Sequence, residues 1–123
     1  MKRLVLSIIL LSSIYAQADW IKLGKVNDRT MFINSEVPNQ TSASSYSAWT
    51  LMILPKANED RIRAYQAYNT YDCRTGGRKL LHLTAYDNTG DIVTNFNAES
   101  MTQVEYDNPA SPGYLAYKKI CGR

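Results

Sequence analysis

Cys73 and Cys121 constrain this chain more than any other residues, because they are its only two cysteines and stand 48 positions apart. The N-terminus indicates the compartment they meet in. Lys2 and Arg3 form a positive n-region, Leu4–Ile14 is an apolar run of eleven residues, and Ala16-Gln17-Ala18 supplies a small-x-small cleavage site. A membrane span needs about 20 apolar residues, so the run reads as a cleaved export signal. Residues 1–18 are expected to leave, and 19–123 to fold as one domain. No cysteine stands at the Ala18-Asp19 junction, so no lipid anchor is expected there. In an oxidising compartment two cysteines are expected to form one disulfide, and a loop of this length is stabilised by about 4 kcal/mol in the chain-entropy treatment.

Charge narrows the functional classes. The chain has 14 basic and 11 acidic residues and a formal charge of +3. Lys2 and Arg3 go with the signal, which brings the mature domain to about +1, too little for a bulk polyanion or nucleic-acid binder. One histidine and two distant cysteines make no metal-ligand cluster. There is no Ser–His–Asp pattern and no glycine-rich phosphate loop. The pairs Glu59-Asp60 and Asp87/Asp91 fall in connectors, where solvation accounts for them. No catalytic, cofactor-binding or metal site is expected, and the chain reads as a non-enzyme.

Patterning points to strands. Asp19–Leu23 and Thr30–Ile33 read as a pair, broken by Gly24 and Asn27-Asp28, and Asn34–Ser45 reads as a polar loop. Tyr46–Leu54 is apolar on both parities, as in a central strand. Trp49, Leu51 and Ile53 share one side, with Trp49 expected in the core. Pro55 ends it, and Lys56–Arg63 is a charged connector. Tyr65–Tyr86 then forms the clearest hairpin, turning at Gly76-Gly77.

Its register is open on sequence alone. A two-residue loop groups Cys73 with Tyr71, Leu80 and His82. A three-residue loop with a left-handed glycine groups it with Tyr71, Leu81, Leu83 and Ala85. The second gathers the apolar residues on the side the disulfide approaches and turns His82 away from it.

Asp87–Asp91 is a turn, Ile92–Phe96 the next strand and Thr102–Tyr106 one more. Ser111 and Pro112 open a helix as cap and first-turn proline. Tyr114, Tyr117, Ile120 and Cys121 lie on one side of it, with Lys118 and Lys119 facing outward. Residues 112–120 are too few to hold a helix alone, so it must be pinned to the sheet.

The ordered landmarks resemble the surface-adhesin protein E family of Gram-negative bacteria. They are Asp19-Trp20-Ile21-Lys22-Leu23-Gly24 directly after the signal, Trp49 in its apolar strand, Tyr71-Asp72-Cys73 before a basic turn, Leu80-Leu81 to Tyr86, and Pro109-Ala110-Ser111-Pro112 to Ile120-Cys121. Together they cover nearly the whole mature chain. The resemblance implies an α+β fold: a single antiparallel sheet of about six strands with a C-terminal helix held on one face by the disulfide. It also implies an outer-surface protein that binds host extracellular-matrix or serum proteins, often as a dimer. The alternative class is a periplasmic binding or inhibitory module, for example an inhibitor of a host hydrolase such as lysozyme.

A Cys73–Cys121 bond would bring Arg74, Arg78 and Lys79 at the hairpin tip near Lys118, Lys119 and Arg123. Six cations at one end of a nearly neutral domain suit an anionic partner. Tyr68 falls on the parity opposite Cys73 and is a second candidate for a dimer or ligand surface.

Overall fold

The computed structural model describes residues 20–34, 39–99 and 103–122. The export signal, Asp19, Thr102 and Arg123 lie outside the described residues. Among the described residues β1 (Trp20–Val26), β2 (Arg29–Asn34), β3 (Asn39–Gln40), β4 (Ser45–Ile53), β5 (Ala64–Asp72), β6 (Gly77–Tyr86), β7 (Ile92–Asn97) and β8 (Glu105–Tyr106) precede one helix, α1 (Pro112–Cys121). One antiparallel sheet runs β1-β2-β4-β5-β6-β7, with β3 added to β4 and β8 added to β6. The six long strands match the expected number. β8 falls within the expected Thr102–Tyr106 strand, whereas β3 occupies part of the expected Asn34–Ser45 loop, a segment too polar to signal a strand.

Residues that face each other across antiparallel strands share a side of the sheet, and the two sides differ. On the helix side, Met31 pairs with Met52 and Tyr46 with Tyr71. Met31, Tyr71 and Ala116 form a buried cluster there, packed by Leu23, Met52, Leu115, Tyr117 and Ile120. On the other side Leu51, Ile53, Ala64 and Tyr86 are buried together, packed by Trp20 and Phe32. Both parities of β4 are therefore used, as its sequence required of a central strand. No helix covers the second side among the described residues.

Local chemistry corrects several expectations. Gly24 does not end β1. It sits beside a register shift at φ +152°, and a Cβ there would meet Leu115 at 3.4 Å, so the missing side chain admits the helix. The break falls at Asn27-Asp28, both left-handed (φ 51° and 64°), the geometry of a two-residue hairpin turn. Arg63 does not behave as a solvated connector residue. It is buried, its Nε donates to the Leu54 carbonyl at 2.6 Å and its Nη1 to Asn88 Oδ1 at 3.1 Å, which ties the connector to the β6–β7 turn.

The β5–β6 register combines both expectations. Tyr71 faces Arg78 and Asn69 faces Leu80, around a loop of Cys73–Gly76 with Gly76 at φ +84°. A bulge then shifts the pairing, so Tyr68 faces His82 and Ala67 faces Leu83. Leu81 is the extra residue. Leu80, Leu83 and Ala85 consequently share the helix side, while His82 points to the other.

The helix is fixed at both ends. Cys73 and Cys121 are bonded with their Cα atoms 5.4 Å apart. Gly122 ends the helix at φ 72°, its N–H donating to Lys118 O at 2.7 Å. Ser111 caps the start by backbone only. Its hydroxyl donates to the Asn108 carbonyl at 2.7 Å and makes no cap bond. The packed side is also rotated from the expected one: Leu115 and Ala116 lie in it, and Tyr114 stands beside Tyr117 at its margin. Ala116, fully buried, is small enough for the helix to lie close on the sheet.

Candidate binding surfaces

The side of the sheet without a helix carries an aromatic row. Trp49, Tyr68 and His82 are direct partners across β4, β5 and β6. The Trp49 and Tyr68 rings lie 4.8 Å apart and tilted by 35°, and Trp49 and His82 are stacked at 6.4 Å. All three are half-buried. His82 Nε2 meets Glu99 Oε2 at 2.9 Å, which orients the imidazole at the end of the row. Trp49 is thus not enclosed in the core but leans across its neighbours at the surface. Tyr68 lies on the side of the sheet opposite Tyr71, as strand alternation requires. Trp49 joins it through the unshifted β4–β5 register, and His82 through the β5–β6 pairing beyond the bulge.

The disulfide end holds fewer free cations than expected. Arg74 is exposed beside Cys73, and Lys118 and Lys119 are exposed in the last turn of α1. Lys118 Nζ stands 6.0 Å from the Tyr114 ring. Arg78 does not belong to this group. Its Nε donates to Asp107 Oδ2 at 3.0 Å and Oδ1 at 3.2 Å, and its Nη1 to Asn69 Oδ1 at 3.3 Å. Lys79 faces Thr70 and points to the opposite side of the sheet from Arg78. Asp72 adds a carboxylate at the turn. The backbone N–H groups of Arg74 (2.9 Å) and Thr75 (3.4 Å) donate to it and hold its pKa below the usual carboxylate range.

Arg78 and Asp107 instead brace the helix. Their side chains are 21% and 10% exposed, so the pair is shielded. Asn69 links it to Tyr71, whose burial pushes its hydroxyl pKa well up and keeps it neutral. A Cβ on Gly113 would stand 2.7 Å from Asp107 Oδ1 and 3.1 Å from its Cγ. The carboxylate therefore reaches the helix N-terminus, where negative charge is favoured, only because position 113 lacks a side chain.

Gly113→Ala should destabilise the fold by about 1 kcal/mol, although alanine is the better helix former by about that amount. In an Asp107→Ser background the same change should stabilise it. Urea unfolding of the four chains checks this sign reversal.

Among the described residues no group of three or more His, Cys, Asp and Glu side chains could hold a metal, and no helix is long and apolar enough to cross a membrane. The arrangement offers stacking area, a few charges and a braced helix, which are the parts of a recognition surface. This is the class the fold defines: a small disulfide-stapled sheet with one face roofed by a helix and the other, among the described residues, carrying the aromatic row.

The chain belongs to the surface-adhesin protein E family, whose model matches residues 20–122. Its fold is shared with solved structures of Haemophilus influenzae protein E. Crystal form II superposes with a TM-score of 0.55 at 14% identity, covering 84% of this chain and 87% of that one. The structure from a non-typeable strain gives 0.52 at 16% identity, covering 84% and 75%. A further protein E structure gives 0.52 at 17%, covering 84% and 83%. No functionally curated protein matches the chain in sequence.

Proposed function

We propose that this chain is an exported, non-catalytic binding protein that engages a host extracellular-matrix or serum protein through the face without a helix. The observation that carries the reading is the Trp49–Tyr68–His82 row, set on three adjacent strands in a chain of the adhesin family. Tryptophan and tyrosine dominate the energetics of protein interfaces, because each presents a large rigid area with a polar tip. Arg74, Lys118 and Lys119 are exposed at the disulfide end, where they would steer an acidic partner before contact.

Self-association belongs to the same reading. β7 ends the sheet, its sequence Ile-Val-Thr-Asn-Phe-Asn carries no charge, and Ile92, Val93 and Phe96 are exposed on it. Such an edge suits pairing with a second copy, and sedimentation at micromolar concentration measures the state.

The test is capture of immobilised matrix proteins, serum proteins and lysozyme by the purified exported chain, together with fractionation of cells. Capture of a matrix or serum protein by a chain displayed at the outer surface is the expected result. Capture of lysozyme alone, by a chain retained in the periplasm, would instead favour the inhibitory module.

The steering role has its own signature. Charge reversal of Arg74, Lys118 and Lys119 together should slow association with the captured partner by about tenfold at low salt and leave dissociation nearly unchanged. Association rates that match the parent at every salt concentration would remove those residues from the reading.

A further inference from the structure

The helix roofs only part of its own side of the sheet. α1 packs against β1, β2 and β4. Beside it lies an open groove of about 410 Å³, within the size range of small-ligand sites. Its floor is apolar, with Met31, Met52, Ala67 and Leu83 along it. Two methionines make that floor adaptable in shape.

The polar groups of the groove divide between its ends. At one end Arg78, Asp107 and Asn69 satisfy one another, so their charges are already compensated. Arg29 also lines the groove, is exposed, and makes no ion pair with any described residue. The carboxylate next to it in the chain, Asp28, lines the cavity on the opposite side of the sheet and does not face the groove. Among the described residues Asp107 is the only acidic side chain lining the groove, and it is committed to Arg78.

An apolar floor with one uncompensated guanidinium at its rim matches a small amphipathic anion. We propose that this groove binds a medium-chain or aromatic carboxylate. The carboxylate would sit on Arg29, which can hold it through two parallel hydrogen bonds, and the apolar body on the Met31–Met52–Ala67–Leu83 floor. The site lies on the opposite side of the sheet from the aromatic row and stands independently of the host-protein reading.

The methyl signals of Met31 and Met52 report on the floor directly. Decanoate titrated into the purified exported protein should shift both, with saturation. Decyltrimethylammonium, the same chain with the opposite charge, should bind about tenfold more weakly. Arg29→Glu should reverse that preference. In the unsubstituted protein the affinity for decanoate should fall with added salt while that for the cation does not, a check that needs no variant. Equal titration by the two amphiphiles, no saturable shift, or an unchanged preference in Arg29→Glu would overturn the assignment. Shifts confined to Trp49 and Tyr68 would place the ligand on the other side and overturn it equally.

Discussion

Replacing Cys73 and Cys121 together with serine should cost about 4 kcal/mol of stability and release α1 from the sheet. The magnitude follows from the 48-residue separation, since cross-linking a loop of that length removes closure entropy from the unfolded chain. The structural consequence follows from the helix itself. It has ten residues, below the length at which an isolated helix persists in water, and its sheet contacts center on the small buried surface of Ala116 with Leu115, Tyr117 and Ile120 around it. After the bond is lost, the Arg78–Asp107 pair holds only the other end.

Denaturant unfolding with far-ultraviolet circular dichroism should therefore show a lower midpoint and a loss of helical signal, with the sheet signal kept under native conditions. The release also uncovers Met31 and Tyr71, so a hydrophobic dye should begin to bind. A double-serine chain with the parent midpoint and unchanged helicity would mean that packing and the Arg78–Asp107 pair suffice, and that the disulfide is incidental to docking.

The fold was largely legible in the sequence, because its signals are local. Alternating apolar residues, Asn27-Asp28 and Gly76-Gly77, Pro55, and Ser111-Pro112 each mark a boundary by their own chemistry. The cysteine pair supplied one long-range contact, enough to seat the helix. The failures occurred wherever a partner distant in sequence decides. A bulge opposite Asn69 set the hairpin register, and bulges answer to the shape of the whole sheet. Proximity to Cys73 in the sequence groups Arg78 with the free cations. Its acceptor, Asp107, lies 29 residues away in a connector without a motif. Ser111 looked like a side-chain cap, yet its hydroxyl turned to Asn108 while Asp107 approached the helix end through the space left by Gly113. Trp49 looked like core because its strand is apolar on both parities. Only the pairing of Trp49 with Tyr68 and of Tyr68 with His82 shows the row.

That row is also where the functional reading is most exposed to test. A binding surface built on stacked aromatics concentrates its energy in them, and truncating one such residue typically costs 2 kcal/mol or more, a factor of about 30 in affinity. Trp49 and Tyr68 touch, so their losses will not add, and about a hundredfold is the expected combined effect. Both are half-buried at the surface and lie outside the two buried clusters. Removing them forfeits an aromatic contact of about 1 kcal/mol and leaves the packing of α1 and the disulfide in place.

The measurement is the affinity of the Trp49→Ala/Tyr68→Ala chain for the matrix or serum protein that the parent captures, with unfolding midpoint and helicity followed alongside. About a hundredfold loss of affinity in a folded chain is the expected result. A folded double variant that binds within about threefold of the parent would contradict the assignment of this face as the binding surface.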